Sequence, residues 1–554
     1  MNIKENWRVF IVTFKIHFFK IVVPLFLFLA MSVGNALAIE NFELYQEKYV
    51  DSEHIMLYSH VPTGVKLVTI QPVSDQQHFS VEIAFKTPTC NNKGIAHVVE
   101  HCVLNGSKDY PIKNLPLRIK EVHPDCDIDG TTYHDFTRYI FKTSSKINFL
   151  PIFDIFWSSI FDPAFLGDKK IFQKESFFYD SVSHQFLCGS VLQEIIETYS
   201  VPERNIFRSI NKQLFDSSFQ YDCGGTPWNL LDLTYKEAVE FYKTHYSFSN
   251  MLVILRGSYN WNELFQYFDK EYFSKGIRQD NSNNVELQTV PSDGVPTKYF
   301  VSEYDSTIRR EGERVNAFYF IKHENPEDFL GALVLDAMIN SKSSNFKKLA
   351  KEKEYENLVF KVSGGYKKLF GFEYMKKSDL SFEFKKFETD LKEILKKFLE
   401  TLTEEYIGCV CESIKGSLKK TYSNEKISAL TLFNNFVYYN DPLRNIEYYS
   451  QNNIEKSLDK ICNIFYLKGF IKDNIIDNDS YTIGVFLPKK NLNNSLIKNA
   501  IQKFGNFVEK NKITSDMIVK DEFEKWNCNK YEVFSIINSK MNEEKFINWR
   551  KYFK

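Results

Sequence analysis

Between residues 79 and 85 apolar side chains alternate with polar ones (Phe79, Val81, Ile83, Phe85), the period of a strand with one buried face. A polar loop follows. Ile95, Val98, Val99 and Cys102 then recur at helical spacing until Asn105-Gly106 supplies a stop. Further along, the pattern predicts a strand over 137–143, a buried helix over 147–160 and an amphipathic helix over 191–199. Thr234 with Glu237 three residues later forms a capping box for a helix reaching about His245, and 251–255 is a short apolar strand after it.

Residues 276–297 are polar, contain Pro and Gly, and read as a linker. Beyond it the order restarts. A strand is expected over 315–321, then a helix opened by Asn325-Pro326 and running to about Ile339, as in residues 79–104 but without a histidine. The second part is thus expected to be a diverged copy of the first, leaving any histidine chemistry to the first copy. Charged helices are predicted over 386–405 and 409–439, a strand over 481–487, and a helical C-terminal extension over 491–554. Strands and helices mix without strict alternation, so the expected class is α+β, with antiparallel sheets and helices packed on them. The expected division is 1–38, 39–275, 276–297, 298–490 and 491–554.

With 43% hydrophobic and 16% aromatic residues, the chain has ample material for cores of that kind, and low-complexity disorder is excluded. Its 70 basic and 71 acidic residues give a net charge of −1, and Lys4, Arg8, Lys15 and Lys20 lie within the first stretch, so no nucleic-acid surface is indicated. After those basic residues comes an apolar run over 21–33 and then Ala36-Leu37-Ala38, the small-x-small form of a signal-peptidase site. The run is shorter than the ~20 residues that span a bilayer, which favours a signal peptide cut after Ala38 over an anchor. The expected destination is export, periplasmic or secreted; an uncut segment would instead leave the chain membrane-anchored by residues 21–33. The 9 cysteines contain no CxxC pair, and their spacing names no disulfide; they are read as ordinary buried residues.

The chemistry-bearing pattern is His97-Val98-Val99-Glu100-His101. Two histidines four apart project from one helical face about a turn apart, a spacing that suits two ligands of one metal ion, while Ile95, Val98, Val99 and Cys102 pack the opposite face. This is H-x-x-E-H, the inverted form of the H-E-x-x-H zinc-peptidase motif. A catalytic zinc site needs a third protein ligand and an open position. Glu194 is the candidate, although by spacing alone Glu194 and Glu197 also read as solvated carboxylates beside the stripe Leu192, Ile195, Ile196, Tyr199.

The stretch Gly94-Ile95-Ala96-His97-Val98-Val99-Glu100-His101-Cys102-Val103-Leu104-Asn105-Gly106-Ser107, with Tyr110-Pro111 after it, resembles the active-site segment of the pitrilysin/insulinase family, the inverzincins, on their presequence protease branch. Two further blocks resemble that branch in the same order: Phe172 to Glu175 with Gln193 to Pro202, and Gly224-Gly225-Thr226-Pro227 on to Asn250. The resemblance implies a Zn2+-dependent endopeptidase that hydrolyses unfolded peptides through a metal-activated water. It implies His97, His101 and Glu194 as ligands and Glu100 as general base, and Glu197 is a candidate to orient a ligand imidazole. Tyr199 reads as core, and His123 and His134 match no ligand position.

Two departures stand out. Where the family holds an Asn-Ala pair near the substrate backbone, this chain has Asp129-Gly130. Presequence proteases also consist of two similar halves closing on a chamber, whereas this chain has the length of about one. A homodimer or a separate partner is therefore expected to supply the second half. The rival expectation is a non-catalytic peptide-binding or scaffold member of the family acting with a partner subunit.

Overall fold

The computed structural model describes residues 39–488, apart from 73–77, 181–184, 200, 216–217, 228, 275–298, 305–313, 321–325, 364–368, 376–381, 423–426 and 480. The expected signal peptide or anchor, linker and C-terminal extension lie outside the described residues.

The first sheet is built from β1 (Phe42–Val50), β2 (Glu53–His60), β3 (Lys66–Pro72), β4 (Phe79–Lys86), β5 (Cys126–Thr132) and β6 (Phe136–Thr143), with a separate hairpin of β7 (Phe177–Asp180) and β8 (Gln185–Cys188), and is completed by β9 (Met251–Arg256). Its order is β1-β2-β3-β9-β4-β6-β5, with only β3 and β9 parallel. The second sheet comprises β10 (Tyr299–Tyr304), β11 (Arg314–Phe320), β12 (Val359–Ser363), β13 (Leu369–Met375) and β14 (Tyr481–Pro488) in the order β10-β14-β11-β13-β12, with only β10 and β14 parallel. Strand for strand this repeats β3-β9-β4-β6-β5. The fold is α+β with two related sheets, as the repeated strand-and-helix pattern predicts, and β1 and β2 are an addition to the first.

One face of the first sheet is covered by helices whose composition explains their burial. Helix Lys146–Phe161 is apolar almost all round, with Phe149, Phe153, Phe156 and Ile160 fully buried, and it starts where the Ser145 hydroxyl accepts the Asn148 N–H at 3.3 Å. Helix Tyr235–His245 begins at the predicted capping box, with Thr234 and Glu237 each bonding the other's backbone.

The opposite faces are covered reciprocally. Helix Ala429–Tyr439, from the second part of the chain, lays Leu432, Phe433 and Phe436 on Ile55, Val68, Leu252 and Ile254 of the first sheet. Helix Pro202–Leu214, from the first part, lays Ile206 and Ile210 on Phe300 and Phe486 of the second. A buried ion pair reinforces the first contact: Glu53 binds Arg256, which donates to the Ile427 carbonyl, and the Ile427 N–H donates back to Glu53 at 3.2 Å.

Three expectations are corrected. The helix expected over 386–405 is Phe384–Thr401, because Thr403 caps a new helix by accepting the Tyr406 N–H at 3.2 Å. The helix expected over 409–439 is two, Glu404–Tyr422 and Ala429–Tyr439, the second capped by Ser428. The cysteines are not all ordinary buried residues: Cys411 and Cys462 form a disulfide between two helices, and Cys90 and Cys409 are exposed.

Candidate metal centre

Helix Ile95–Val103 starts abruptly. Gly94 caps it at φ 68°, in the left-handed region glycine tolerates, and a Cβ there would stand 2.3 Å from the Gly224 carbonyl oxygen. Val98, Val99, Cys102 and Val103 are fully buried, which turns His97 and His101 toward a cleft of about 700 Å³. The two rings meet edge to face with centroids 4.8 Å apart. Helix Ser190–Tyr199 is anchored by Val191, Leu192 and Ile195 and presents Glu194 to the same cleft. Glu194 Oε2 lies 3.4 Å from His97 Nε2 and 3.7 Å from His101 Nε2. Ligand atoms about 2.0–2.1 Å from a tetrahedral zinc are roughly 3.3 Å from one another, so this spacing is close to that of three zinc ligands. Among the described residues these three form the one cluster of histidine, cysteine or carboxylate groups with that convergence.

Charge points the same way. Two further carboxylates crowd the imidazoles: buried Glu175, whose Oε2 accepts from His101 Nδ1 at 3.3 Å, and buried Glu100. The Glu175 bond places the His101 proton on Nδ1 and frees Nε2 for a metal. Burial opposes protonation of His101, yet the Glu175 hydrogen bond and the charges of Glu100, Glu175 and Glu194 outweigh it and raise the pKa. Glu194 is held below the usual carboxylate range, first by its bond to His97. Three carboxylates around two imidazoles leave negative charge that a divalent cation neutralises, and the donor set fits zinc.

Glu100 is only 5% exposed, and burial pushes its pKa up against the pull of both imidazoles and of Thr132. The Thr132 hydroxyl donates to Oε2 at 2.8 Å, and Oε1 rests against Gly130, where a Cβ would come within 2.4 Å of it. Strand β5, at the edge of the sheet, thus supplies both the bond that orients Glu100 and the gap that accommodates it.

The sequence model for insulinase (peptidase family M16) matches residues 87–185, which contain this helix and Glu175, and presequence proteases align beyond it; presequence protease 1 of Arabidopsis thaliana is 26% identical over 269 residues, covering 46% of this chain and 24% of its own. Over residues 87–185 the chain matches the insulinase (M16) family, and it resembles that family's presequence protease branch. Protein HypA of Clostridium perfringens is 23% identical over 472 residues, 79% of this chain and 45% of that protein. The chain spans less than half the length of the curated relatives it matches. Solved structures share the fold: a protease from Helicobacter pylori with TM-score 0.57 at 16% identity, covering 80% of this chain and 99% of that one, and a peptidase M16 inactive domain from Pseudomonas fluorescens with TM-score 0.56 at 12% identity, covering 78% and 98%.

Within this cleft the structure brings His97, Glu100, His101 and Glu194 together and leaves Glu197 out. Glu197 is exposed and accepts from its helix neighbour Gln193 at 3.2 Å, about a turn farther along the helix than Glu194. The carboxylate that meets the His101 imidazole is Glu175, which sequence reasoning missed: it lies 74 residues from His101, and only its place in a resembling block marked it. Tyr199 is buried as expected, though its hydroxyl donates to Asp222 at 3.0 Å. Asp129 and Gly130 both line the cleft. His134 stacks on Phe219 at 4.8 Å, and neither it nor His123 joins the cluster.

Proposed function

We propose that this chain is a zinc-dependent endopeptidase of unfolded peptides, with His97, His101 and Glu194 holding the metal and Glu100 moving the proton. The observation that carries the reading is the convergence of three donors beside a buried carboxylate in an open cleft. When bound, zinc polarises a carbonyl oxygen and makes water acidic enough to attack at neutral pH. Glu100 would take a proton from the attacking water and return it to the leaving amine, while the Thr132 bond to Oε2 keeps the carboxylate from swinging. Burial, by raising the Glu100 pKa, makes it a better acceptor than an exposed carboxylate. Glu175 keeps the His101 ring in one tautomer and one orientation.

A second reading, a non-catalytic peptide-binding member, is favoured by the inactive M16 domain that shares its fold. In either reading we propose that a second copy or another protein completes the chamber, and that residues 1–38 direct export. Metal analysis and hydrolysis of a quenched unstructured peptide separate the two. The enzyme reading expects one zinc per chain and, in Glu100→Gln, retained zinc with turnover lower by about 10²–10⁴-fold. Zinc with no turnover in the wild type, alone or with added chain, supports the binder; no zinc at all overturns the enzyme reading.

A further inference from the structure

The two helices that bring ligands to the metal centre meet it from different directions, and the Glu194 side chain is 51% exposed, so its position depends on how its helix is held. That helix ends at Tyr199, where Arg208 of helix Pro202–Leu214 closes on it. The Arg208 guanidinium lies over the Tyr199 ring, 3.8 Å from the centroid. One terminal nitrogen donates to the Thr198 hydroxyl at 3.0 Å; the other donates to Asn205 Oδ1 at 2.9 Å and reaches the Thr198 carbonyl at 3.4 Å. Nε pairs with Asp222, which also accepts the Tyr199 hydroxyl.

Asp222 carries the linkage across to the other ligand helix. Its Oδ1 accepts the Gly224 N–H at 3.1 Å, and its own N–H donates to Asn92 Oδ1 at 2.8 Å. Gly224 and Gly225 press against Gly94, the residue that starts the His97 helix, and Gly224 also stands against the His97 ring: Cβ atoms built at 225 and 224 would come 2.8 Å from Gly94 and 3.6 Å from His97 Nδ1. An unbroken path of contacts therefore runs from the C-terminal end of the Glu194 helix to the His97 imidazole.

We propose that Arg208 and Asp222 are positioning residues for the metal: their clasp fixes the Glu194 helix against the 222–226 loop behind His97 and so sets zinc affinity. The proposal rests on the zinc reading of the site. Only a planar fork of donors can stack on Tyr199 and reach Asp222, Thr198 and Asn205 at once, which an ammonium cannot do.

The test is zinc affinity, measured by competition with a chromophoric chelator, together with the melting temperature of zinc-free protein. The variants are Arg208→Lys, Arg208→Met and Asp222→Asn, with Glu53→Gln as a buried ion-pair control remote from the site. Arg208→Met and Asp222→Asn are expected to bind zinc about 10–100-fold more weakly, with Arg208→Lys in between, since orienting partners of ligands typically have that effect. Glu53→Gln is expected to lower the melting temperature and leave zinc affinity unchanged. If Arg208→Met fails to fold, Tyr199→Phe carries the same expectation at a smaller factor. Wild-type affinity in Asp222→Asn, or affinity that merely tracks melting temperature through Glu53→Gln, overturns the clasp. Wild-type protein that takes up no stoichiometric zinc overturns the zinc reading itself, and the clasp with it.

Discussion

The two sheets share strand order and direction, yet the helix that follows the corresponding strand is used in opposite ways. After β4, helix Ile95–Val103 commits one face to the core and the other to His97, Glu100 and His101. After β11, helix Pro326–Asn340 has no histidine, and Ala332, Val334, Leu335, Met338 and Ile339 are fully buried in its own core. The contact each helix makes with the strand at its sheet edge differs in kind. Glu100 meets β5 with a carboxylate bonded to Thr132, while Asn340 meets β12 with an amide that accepts the Phe360 N–H at 3.2 Å and donates to the Phe360 carbonyl at 2.7 Å. One framework thus yields a cleft where a buried carboxylate faces a gap, and a structural joint where an amide satisfies backbone groups. The difference lies in a few side chains.

Experiments can break or sharpen this contrast. The largest effect on stability is expected at the reciprocal helices. Leu432 is fully buried in the broad contact on the first sheet, so Leu432→Ala should cost about 2–5 kcal/mol, whereas Ile210→Ala, in the smaller patch on the second, should fall at the low end of that range. Urea unfolding measures both, and a larger loss at Ile210 would mean that the smaller patch, not the larger, holds the halves together. Next, Asn340→Ala leaves both Phe360 backbone groups without their side-chain partner and should cost about 1–3 kcal/mol with zinc content unchanged. Zinc loss in that variant would show that the second joint supports the metal centre after all.

The smallest effect concerns acid. Of the 11 histidines only His323 follows residue 298, so titration near neutral pH falls on the first part of the chain. His245 is pushed down to about 4 from 6.5, mainly by burial. The unfolded chain therefore takes up this proton first, and stability should fall as pH drops from about 6.5 toward 4. Melting curves across that window should be flatter for His245→Gln than for the wild type; equal slopes would show that His245 does not contribute.

Much of this was legible in the chain itself wherever a periodic pattern coincided with burial. The strand and helix around the H-x-x-E-H motif, the capped helix after Thr234 and the recurrence beyond residue 298 all rest on local spacing. Strand β5 was not legible, because Cys126-Asp127-Ile128-Asp129-Gly130-Thr131-Thr132 has turn-forming composition and becomes a strand only by pairing with β6. The edge strand β1 was equally hidden, since most of its residues are not buried. In the site, the histidines and Glu100 share one helical turn and announce themselves. Glu175, Thr132 and Arg208 act through contacts made only by the folded chain, and no spacing rule points to them.

Helix Pro202–Leu214 grips the Glu194 helix with Arg208 on one side and seats Ile206 and Ile210 on the second sheet with the other. Its two faces thus meet the C-terminal end of the helix that carries Glu194 and the sheet of the second part of the chain. A shift in how residues 299–488 pack on this helix therefore has a continuous route of contacts to the helix that carries Glu194.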